Sequence, residues 1–241
     1  MTISKPSFSS PAQTIKCHGL LFDMDGTIID STPAIIKHWQ KIGKEIGVDP
    51  DVILATSHGR RSIDVLQIYE PKLANWECGH LPCRRPNTER VWGDAIEIPG
   101  SRALLERLEE EVVPWCIVTS GTRPLVQGWL DVMKLAHPRN LVTAEDVLNG
   151  KPDPTCYQMG AKKLDLQQEE PSIVVFEDAP AGVRSGKAAG FIVVGLYTTH
   201  TLEQLMEAGA DYIVKDMESV TLKSWDKASG VGEIQITDAL E

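Results

Sequence analysis

The sequence predicts an α/β fold in which a doubly wound parallel sheet is covered by helices on both faces and carries an inserted helical cap. Two observations predict it. Short, continuously apolar segments alternate with amphipathic helical segments, which is typical of a parallel sheet buried on both faces. Between residues 31 and 97 this alternation stops and only helical patterns occur, which indicates an inserted helical cap.

The elements of the core can be assigned in chain order. Residues 1–14 are rich in serine, proline and threonine and are expected to form a disordered leader. The core is expected to comprise residues 15–30 and 98–220, and the weakly patterned residues 221–241 a tail. Apolar runs predict buried strands at 20–22, 115–118, 141–142, 173–176, 192–195 and 212–214. Helical spacing predicts helices at 101–111, 125–133, 155–164, 181–189 and 201–208.

The predicted cap begins with a serine and a threonine before Pro33, a common start of a helix, and further helices are expected at 49–55 and 62–69. A polar break, residues 57–61, separates the last two. Residues 74–94 show neither helical nor strand periodicity. This stretch is either an irregular surface loop or, over roughly 76–93, a frame-shifted or mis-spliced segment. Sequencing the transcript and finding one reading frame throughout would remove the second hypothesis.

The composition excludes several classes of function. The 241 residues carry a net charge of −10, which argues against a broad basic face for nucleic acid. No apolar run approaches the ~20 residues that cross a bilayer, and no secretory signal is visible. The five cysteines are odd in number and scattered, so we expect reduced thiols and a cytoplasmic location. A monomer or weak oligomer is expected.

Polar clusters follow three predicted strands and precede one helix. They are Asp23 with Asp25, Thr119 with Ser120, Lys151, and Glu177 with Asp178. Because the carboxyl ends of parallel strands meet at one sheet edge, we expect these groups to converge there. Each cluster alone has a simpler explanation, such as an acidic turn, a turn hydroxyl, a surface lysine or a helix-capping pair. An EF-hand loop is excluded, since the sixth and twelfth residues from Asp23 are isoleucine and alanine.

The order of these clusters resembles the haloacid dehalogenase (HAD) superfamily over roughly residues 17–215. The four motifs of that family are matched by the runs Phe22 to Thr27, Ile117 to Thr119, Gly150 to Pro154, and Phe176 to Asp178 with Gly182. The runs Ser57 to Gly59, Val118 to Gly121 and Phe176 to Pro180 look similar to the glycerol-3-phosphate and 2-deoxyglucose-6-phosphate phosphatases of this family. The resemblance implies a Rossmann-like core and the hydrolysis of a phosphate monoester.

A metal site follows from the charge of such a substrate. A phosphate monoester is dianionic and repels carboxylates, so Mg²⁺ is expected as the cofactor that neutralises the site. Asp23 and Asp178 are oxygen ligands suited to this ion, and Glu177 is expected beside them. The resemblance implies that Asp25 contributes its backbone carbonyl.

The same residues predict the catalytic steps. Asp23 is expected to attack phosphorus and form an aspartyl-phosphate. Asp25 is expected to protonate the leaving alkoxide and then to deprotonate the attacking water. The Thr119 hydroxyl would hold phosphoryl oxygens, and Lys151 would offset the charge shared by Asp23 and the phosphoryl group.

The cap is expected to select the substrate. Ser120 of the core, with His58 and Arg60 of the polar break, is predicted to bind it, whereas Arg61 is explained equally well as a surface arginine. Because nothing in the cap looks like an apolar slot, a small sugar or polyol phosphate is favoured. The alternatives are a sugar phosphomutase of the same fold and a non-catalytic protein with an altered cap; phosphate release from a panel of phosphate esters would separate them.

Overall fold

The computed structural model describes residues 6–75, 95–166 and 172–241. Its helices are α1 (Thr32–Ile46), α2 (Pro50–Ser57), α3 (Ser62–Tyr69), α4 (Ser101–Glu111), α5 (Arg123–Met133), α6 (Thr155–Lys163), α7 (Pro180–Ala188) and α8 (Leu202–Ala208). Its strands are β1 (Phe8–Ser10), β2 (Gln13–Cys17), β3 (Gly19–Phe22), β4 (Ile29–Asp30), β5 (Ile96–Glu97), β6 (Trp115–Val118), β7 (Asn140–Val142), β8 (Ile173–Glu177), β9 (Ile192–Leu196), β10 (Tyr212–Val214), β11 (Val220–Asp226), β12 (Val231–Ile236) and β13 (Ala239–Leu240).

The central sheet has six strands in the order β10-β9-β8-β3-β6-β7, and every neighbouring pair is parallel. Side chains of β3 alternate between two hydrophobic clusters. Leu20 and Phe22 lie in one and Leu21 in the other. Both faces of the sheet are therefore buried, which explains the continuous apolar runs in the sequence. The predicted doubly wound α/β fold is confirmed.

The register of the sheet brings the strand ends level. Phe22 of β3 pairs with Ile117 of β6 on one side and with Phe176 of β8 on the other. The residue after Phe22 therefore lies beside the residue after Phe176, and Asp23 donates its backbone N–H to the Phe176 carbonyl at 3.0 Å. The functional candidates of β3 and β8 are neighbours for this reason.

The helices α1 to α3 form a separate small cluster of buried residues: Trp39, Ile42, Ile53, Val65 and Leu66. This helical unit lies within the predicted cap, residues 31–97. The strands β4 and β5, which pair antiparallel through Ile29 with Glu97 and Asp30 with Ile96, carry the chain into and out of it. The rest of the predicted cap, residues 76–94, lies outside the described residues, and with it the hypothesis of a frame shift or mis-splicing.

Where a disordered leader and a weakly patterned tail were expected, the described residues form strands at 8–10 and 13–14 and at 221–226, 231–236 and 239–240. Strands β11, β12 and β2 form an antiparallel sheet in that order, and β1 pairs with β13. Along β12, Gly232, Ile234 and Ile236 are buried and alternate with half-exposed residues. This period of two is typical of a sheet with one solvent-exposed face. It spans too few residues to be recognised in the sequence alone.

Two further expectations concern membranes and cysteines. No helix within the described ranges is long and apolar enough to cross a bilayer. The cysteines of these ranges, Cys17, Cys116 and Cys156, are buried free thiols. Cys78 and Cys83 lie outside the described residues.

Candidate active site

Three carboxylates meet where β3 and β8 end. Asp23 follows β3, Glu177 is the last residue of β8, and Asp178 follows it. Each contributes one oxygen to a set whose members all lie within 4.8 Å of one another. The three residues are 5%, 0% and 2% exposed, respectively. Carboxylates at such spacing repel one another unless cations lie between them.

Lys151 is the cation that lies against this cluster. Its Nζ donates to Asp23 Oδ1 at 2.5 Å, to Glu177 Oε1 at 2.6 Å and to the Val118 carbonyl at 3.2 Å. The ammonium group also lies 4.9 Å from the centre of the Tyr157 ring, whose hydroxyl donates to Glu177 Oε1 at 3.0 Å. Lys151 is 4% exposed, so these charges interact with little screening by water.

Burial is the main cause of the raised pKa values of the two aspartates in this cluster. Burial raises the pKa of Asp23 to about 8 although Lys151 opposes the rise. Burial, reinforced by the charge of Glu177, also raises the pKa of Asp178 well above its usual range. Burial alone would lower the pKa of Lys151, but Asp23 and Glu177 outweigh it and raise that pKa above its ordinary value. The single positive charge of Lys151 does not neutralise three buried carboxylates, so the charge of the site favours binding of a further cation.

The donor set fits a divalent metal such as Mg²⁺, which prefers oxygen ligands. The Asp178 carboxylate is held by hydroxyl groups: Thr27 donates to Oδ1 at 3.3 Å, and Thr199 donates to Oδ2. Gly26 leaves the space this carboxylate occupies, because a Cβ there would lie 2.2 Å from Asp178 Oδ2. Its φ of +90° also favours glycine.

The Asp25 carboxylate lies outside the cluster of three. It accepts a hydrogen bond from Ser31 Oγ at 2.5 Å and faces the cavity described below. Burial raises its pKa above the ordinary value. A carboxyl group that keeps its proton more readily is suited to proton transfer near neutral pH.

The two hydroxyl residues after β6 have different surroundings. Thr119 is 4% exposed, and its Oγ1 accepts a hydrogen bond from the Gly121 backbone at 2.9 Å. Ser120 donates its hydroxyl to the Gly59 carbonyl at 2.9 Å, so it joins the loop after β6 to the polar break between α2 and α3. Both line the cavity.

A cavity of about 120 Å³ lies between the core and the helical unit. Asp23, Asp25 and Thr119 line it from the core, and His58 and Arg60 from the polar break. Its wall is also apolar in part, which corrects the inference that nothing in the cap looks like an apolar slot. The apolar side chains are Ala34, Ile35 and Trp39 of α1, and Leu125 and Trp129 of α5 in the core.

The comparison with known proteins decides the family. The family model described as haloacid dehalogenase-like hydrolase matches residues 20–196. The chain belongs to this family. The hydrolase is 37% identical to glycerol-1-phosphate phosphohydrolase 1 of Saccharomyces cerevisiae, over 94% of this chain and 93% of that protein. It is also 37% identical to 2-deoxyglucose-6-phosphate phosphatase 1 of the same yeast, over 84% of this chain and 89% of the relative.

A solved structure supports the same conclusion about the fold. The putative beta-phosphoglucomutase from Bacteroides vulgatus superposes on this hydrolase with a TM-score of 0.65 and 29% sequence identity, covering 83% of this chain and 84% of that one. The resemblance to HAD phosphatases drawn from the four motifs is thereby confirmed, and with it the assignment as an enzyme.

Sequence reasoning missed several residues of the hydrolase site. Thr199 contacts Asp178, His200 Nδ1 lies 3.9 Å from Asp178 Oδ2, and the His200 ring meets that of His58 at 5.6 Å. A signal was present, because Tyr197 to His200 directly follows β9, as the other polar clusters follow their strands. Tyr157 gave none, since one tyrosine in a helix is usually part of the core.

Proposed function

We propose that this hydrolase is a Mg²⁺-dependent phosphatase that acts on a small sugar or polyol phosphate. The observation that carries the proposal is the buried set of Asp23, Glu177 and Asp178, in which Lys151 bridges Asp23 and Glu177 and Asp23 lines a small cavity. The relatives named for glycerol 1-phosphate and 2-deoxyglucose 6-phosphate support this class of substrate. A cytoplasmic location and a monomer or weak oligomer remain predictions.

Asp23 and Asp178 are proposed to hold the metal, together with the backbone carbonyl of Asp25. When bound, Mg²⁺ neutralises phosphoryl charge and so lets a carboxylate approach phosphorus. Glu177 accepts hydrogen bonds from Lys151 and Tyr157 on Oε1 and from the Ala179 backbone at 2.8 Å on Oε2. These bonds favour a role for Glu177 in holding Lys151 rather than in direct coordination.

The residues of this chain then divide the reaction between them. Asp23 attacks phosphorus and forms an aspartyl-phosphate while the bond to the substrate oxygen breaks. Asp25 gives its proton to the leaving alkoxide, then takes a proton from the water that attacks the aspartyl-phosphate and releases inorganic phosphate. Ser31 orients the Asp25 carboxyl group through its hydrogen bond at 2.5 Å.

Two groups balance the charge of the phosphoryl oxygens. Lys151 lies against Asp23 and offsets the charge that Asp23 shares with the phosphoryl group. Thr119 and nearby backbone N–H groups hold the phosphoryl oxygens. His58 and Arg60 contact the alcohol part of the substrate, with Ser120 keeping the polar break in place.

A sugar phosphomutase is the second candidate, and the similarity to a putative beta-phosphoglucomutase favours it. A mutase would use the same two aspartates but return the phosphoryl group to a sugar. The test is phosphate release from glycerol 1- and 3-phosphate, 2-deoxyglucose 6-phosphate and hexitol phosphates, with Mg²⁺ and with EDTA. Release that requires Mg²⁺ supports the phosphatase. Isomerised sugar phosphate without free phosphate supports the mutase, and undiminished release in EDTA contradicts the metal role.

Asp23→Asn tests the nucleophile. The amide cannot form the acyl phosphate, so turnover should be abolished, and Asp25→Asn should lower it severely because the proton donor is lost. Asp131→Asn is the control, because that carboxylate is 71% exposed and contacts only His137 among the described residues. Initial rates of phosphate release at saturating substrate give the answer; near-native turnover by Asp23→Asn would exclude Asp23 as the nucleophile.

A further inference from the structure

We propose that Arg61 is a positioning residue which, paired with Asp64, fastens the cap over the active-site cavity by binding the core loop of residues 144–150. The pair is called the clasp below. The proposal deepens the proposed function, because it identifies what holds the cavity closed around a phosphate ester. Arg61 does not line the cavity, whereas its neighbour Arg60 does.

The Arg61 guanidinium is buried in the contact between cap and core. The residue is 5% exposed, although arginine is almost never buried unless it is paired. Its Nε and Nη2 donate to Asp64 Oδ2 and Oδ1 at 2.7 and 2.6 Å. This two-point pair with a carboxylate is the strong geometry for arginine, and it fixes the plane of the guanidinium. Arg61 and Asp64 both belong to the cap, so the pair does not by itself join the two parts.

The join is made by three carbonyls of the core loop. Arg61 Nη1 donates to the carbonyls of Val147 at 2.7 Å and Ala144 at 3.3 Å, and Nη2 donates to that of Leu148 at 2.9 Å. Ala144 is the first residue of a short 3-10 turn, Ala144–Asp146, and Val147 and Leu148 follow that turn. Arg61 donates to these three carbonyls only while the cap is docked.

The core loop leads directly to Lys151. Gly150, the residue before it, faces the clasp so closely that a Cβ there would lie 2.4 Å from Asp64 Oδ2 and 2.8 Å from Arg61 Nε. The clasp is therefore one residue away from the lysine that bridges Asp23 and Glu177. Lys151 itself is held by Asp23, Glu177 and the Val118 carbonyl, so the clasp can be lost without releasing the lysine.

Other residues of the polar break also contact loops of the core. Ser120 donates to the Gly59 carbonyl at 2.9 Å, and a Cβ on Gly59 would lie 2.7 Å from Ala179 Cβ. The break thus contacts the loops after β6, β7 and β8 at once. The strands β4 and β5 carry the chain between core and cap, and the clasp adds hydrogen bonds from Arg61 to the core loop.

The effect of losing Arg61 on KM and kcat distinguishes a clasp from a contact that only stabilises the fold. If Arg61 favours the closed cap, losing it lowers the fraction of enzyme that can bind substrate, and apparent affinity falls by that fraction. Saturating substrate restores closure through its own contacts. Arg61→Met should therefore raise KM about tenfold or more while kcat stays within about threefold. A loss of correctly folded enzyme would instead lower kcat and leave KM unchanged.

Two further variants sharpen this test. Gly150→Ala displaces the clasp by steric contact without removing a charge, and should raise KM in the same way. Arg61→Lys keeps the charge but loses the two-point hydrogen bonding to Asp64. Its KM should therefore be closer to that of Arg61→Met than to that of the parent enzyme. Arg123→Met is the matched control. Arg123 binds Asp146 of the same loop at 2.8 Å, but both residues belong to the core.

Hydrogen exchange without substrate supplies a readout that does not depend on activity. In Arg61→Met the amides of residues 57–64 and 144–150 should exchange faster, while those of β3 and β8 keep their protection. Equal KM effects in Arg61→Met and Arg123→Met, or unchanged exchange in both segments, would overturn the clasp. If Arg61→Met does not fold, Gly150→Ala decides by the same measurements. If no phosphate ester is hydrolysed, the proposed function fails while exchange still tests the clasp.

Discussion

Lys151 holds two carboxylates, Asp23 and Glu177, in a site from which water is almost excluded. Removing one partner of a buried ion pair leaves an uncompensated charge, which costs about 3–5 kcal/mol. Lys151→Met should therefore lower the free energy of unfolding by that amount as well as abolish phosphate release. Lys187→Met is the control, because Lys187 pairs with Asp211 where both side chains are about one-third exposed, at 36% and 34%. Such a pair contributes about 0–1 kcal/mol. Urea unfolding measures the free energy of unfolding of both variants. Equal losses of stability in Lys151→Met and Lys187→Met would contradict the ion-pair argument.

Gly26 offers a second test at the scale of a single residue. Gly26→Ala places a methyl group 2.2 Å from Asp178 Oδ2, so the carboxylate must move and the rate of phosphate release should fall at least tenfold. Gly47→Ala is a matched control: its φ of +72° is also left-handed, but a Cβ there meets nothing within 4 Å. Both variants carry a strain cost of about 1 kcal/mol. Comparing the rates and melting temperatures of the two variants separates the effect of backbone strain from that of moving the Asp178 carboxylate. Full activity of Gly26→Ala would show that the carboxylate is not displaced.

Several residue roles could be predicted from sequence and others could not. Asp23 and Asp178 directly follow strands of a parallel sheet, and Lys151 precedes a helix that packs on it, so topology alone brings them together. The roles of Ser120 and Arg61 were harder to predict, because their side chains donate hydrogen bonds to the backbone carbonyls of Gly59 and Val147. Any residue type supplies a carbonyl, so no sequence pattern marks such a partner.

At the scale of elements, helix α1 carries a histidine whose charge is disfavoured in the folded protein. Burial, with the charge of Lys41 adding to it, lowers the pKa of His38 to about 4 from 6.5. The unfolded chain therefore takes up this proton first as the pH falls, and stability is lost between about pH 6.5 and pH 4. His38→Gln should show a smaller fall in melting temperature between pH 7.5 and pH 5.

His137→Gln is the control for that pH profile, since the His137 side chain, which follows α5, is 53% exposed. Thermal melts at a series of pH values make the comparison. An unchanged profile for His38→Gln would show that other groups of the protein account for the acid lability.

The elements predicted well are those that are buried on both faces. β3, β6 and β8 read as unbroken apolar runs, and their limits agree closely with the structure. β11 and β12 have one exposed face, so their apolar residues alternate and the runs are short. The helices α1 to α3 were recognisable by their periodicity, but periodicity does not show which core residues the polar break between α2 and α3 contacts.

At the scale of the whole molecule, the sheet of β11, β12 and β2 completes one of the two main hydrophobic clusters. Ile15 and Cys17 of β2 join Leu222, Ile234 and Ile236 in it. A chain that stops after Ser219 loses β11 to β13, and each fully buried Ile or Leu contributes about 1.5–3 kcal/mol. Such a chain should melt more than about 10 °C lower, or fail to accumulate in soluble form.

A chain that stops after Thr237 is the control for this truncation, because it loses only β13 and keeps the pairing of β12 with β2. Soluble yield and thermal melting report the outcome. A native melting temperature for the shorter chain would show that the added sheet does not stabilise the core.

The pairing of β2 with β12 also bears on how the protein is made. A hydrogen bond from Ser9 to Glu241 spans 232 residues, and β2 finds its neighbour only after β12 has left the ribosome. Until then the apolar face of β2 is in water and its edge is open, and such edges recruit other chains. Translation that stalls shortly before β12 would therefore release a nearly full-length product prone to aggregate, and chaperones would meet it as an unfinished sheet.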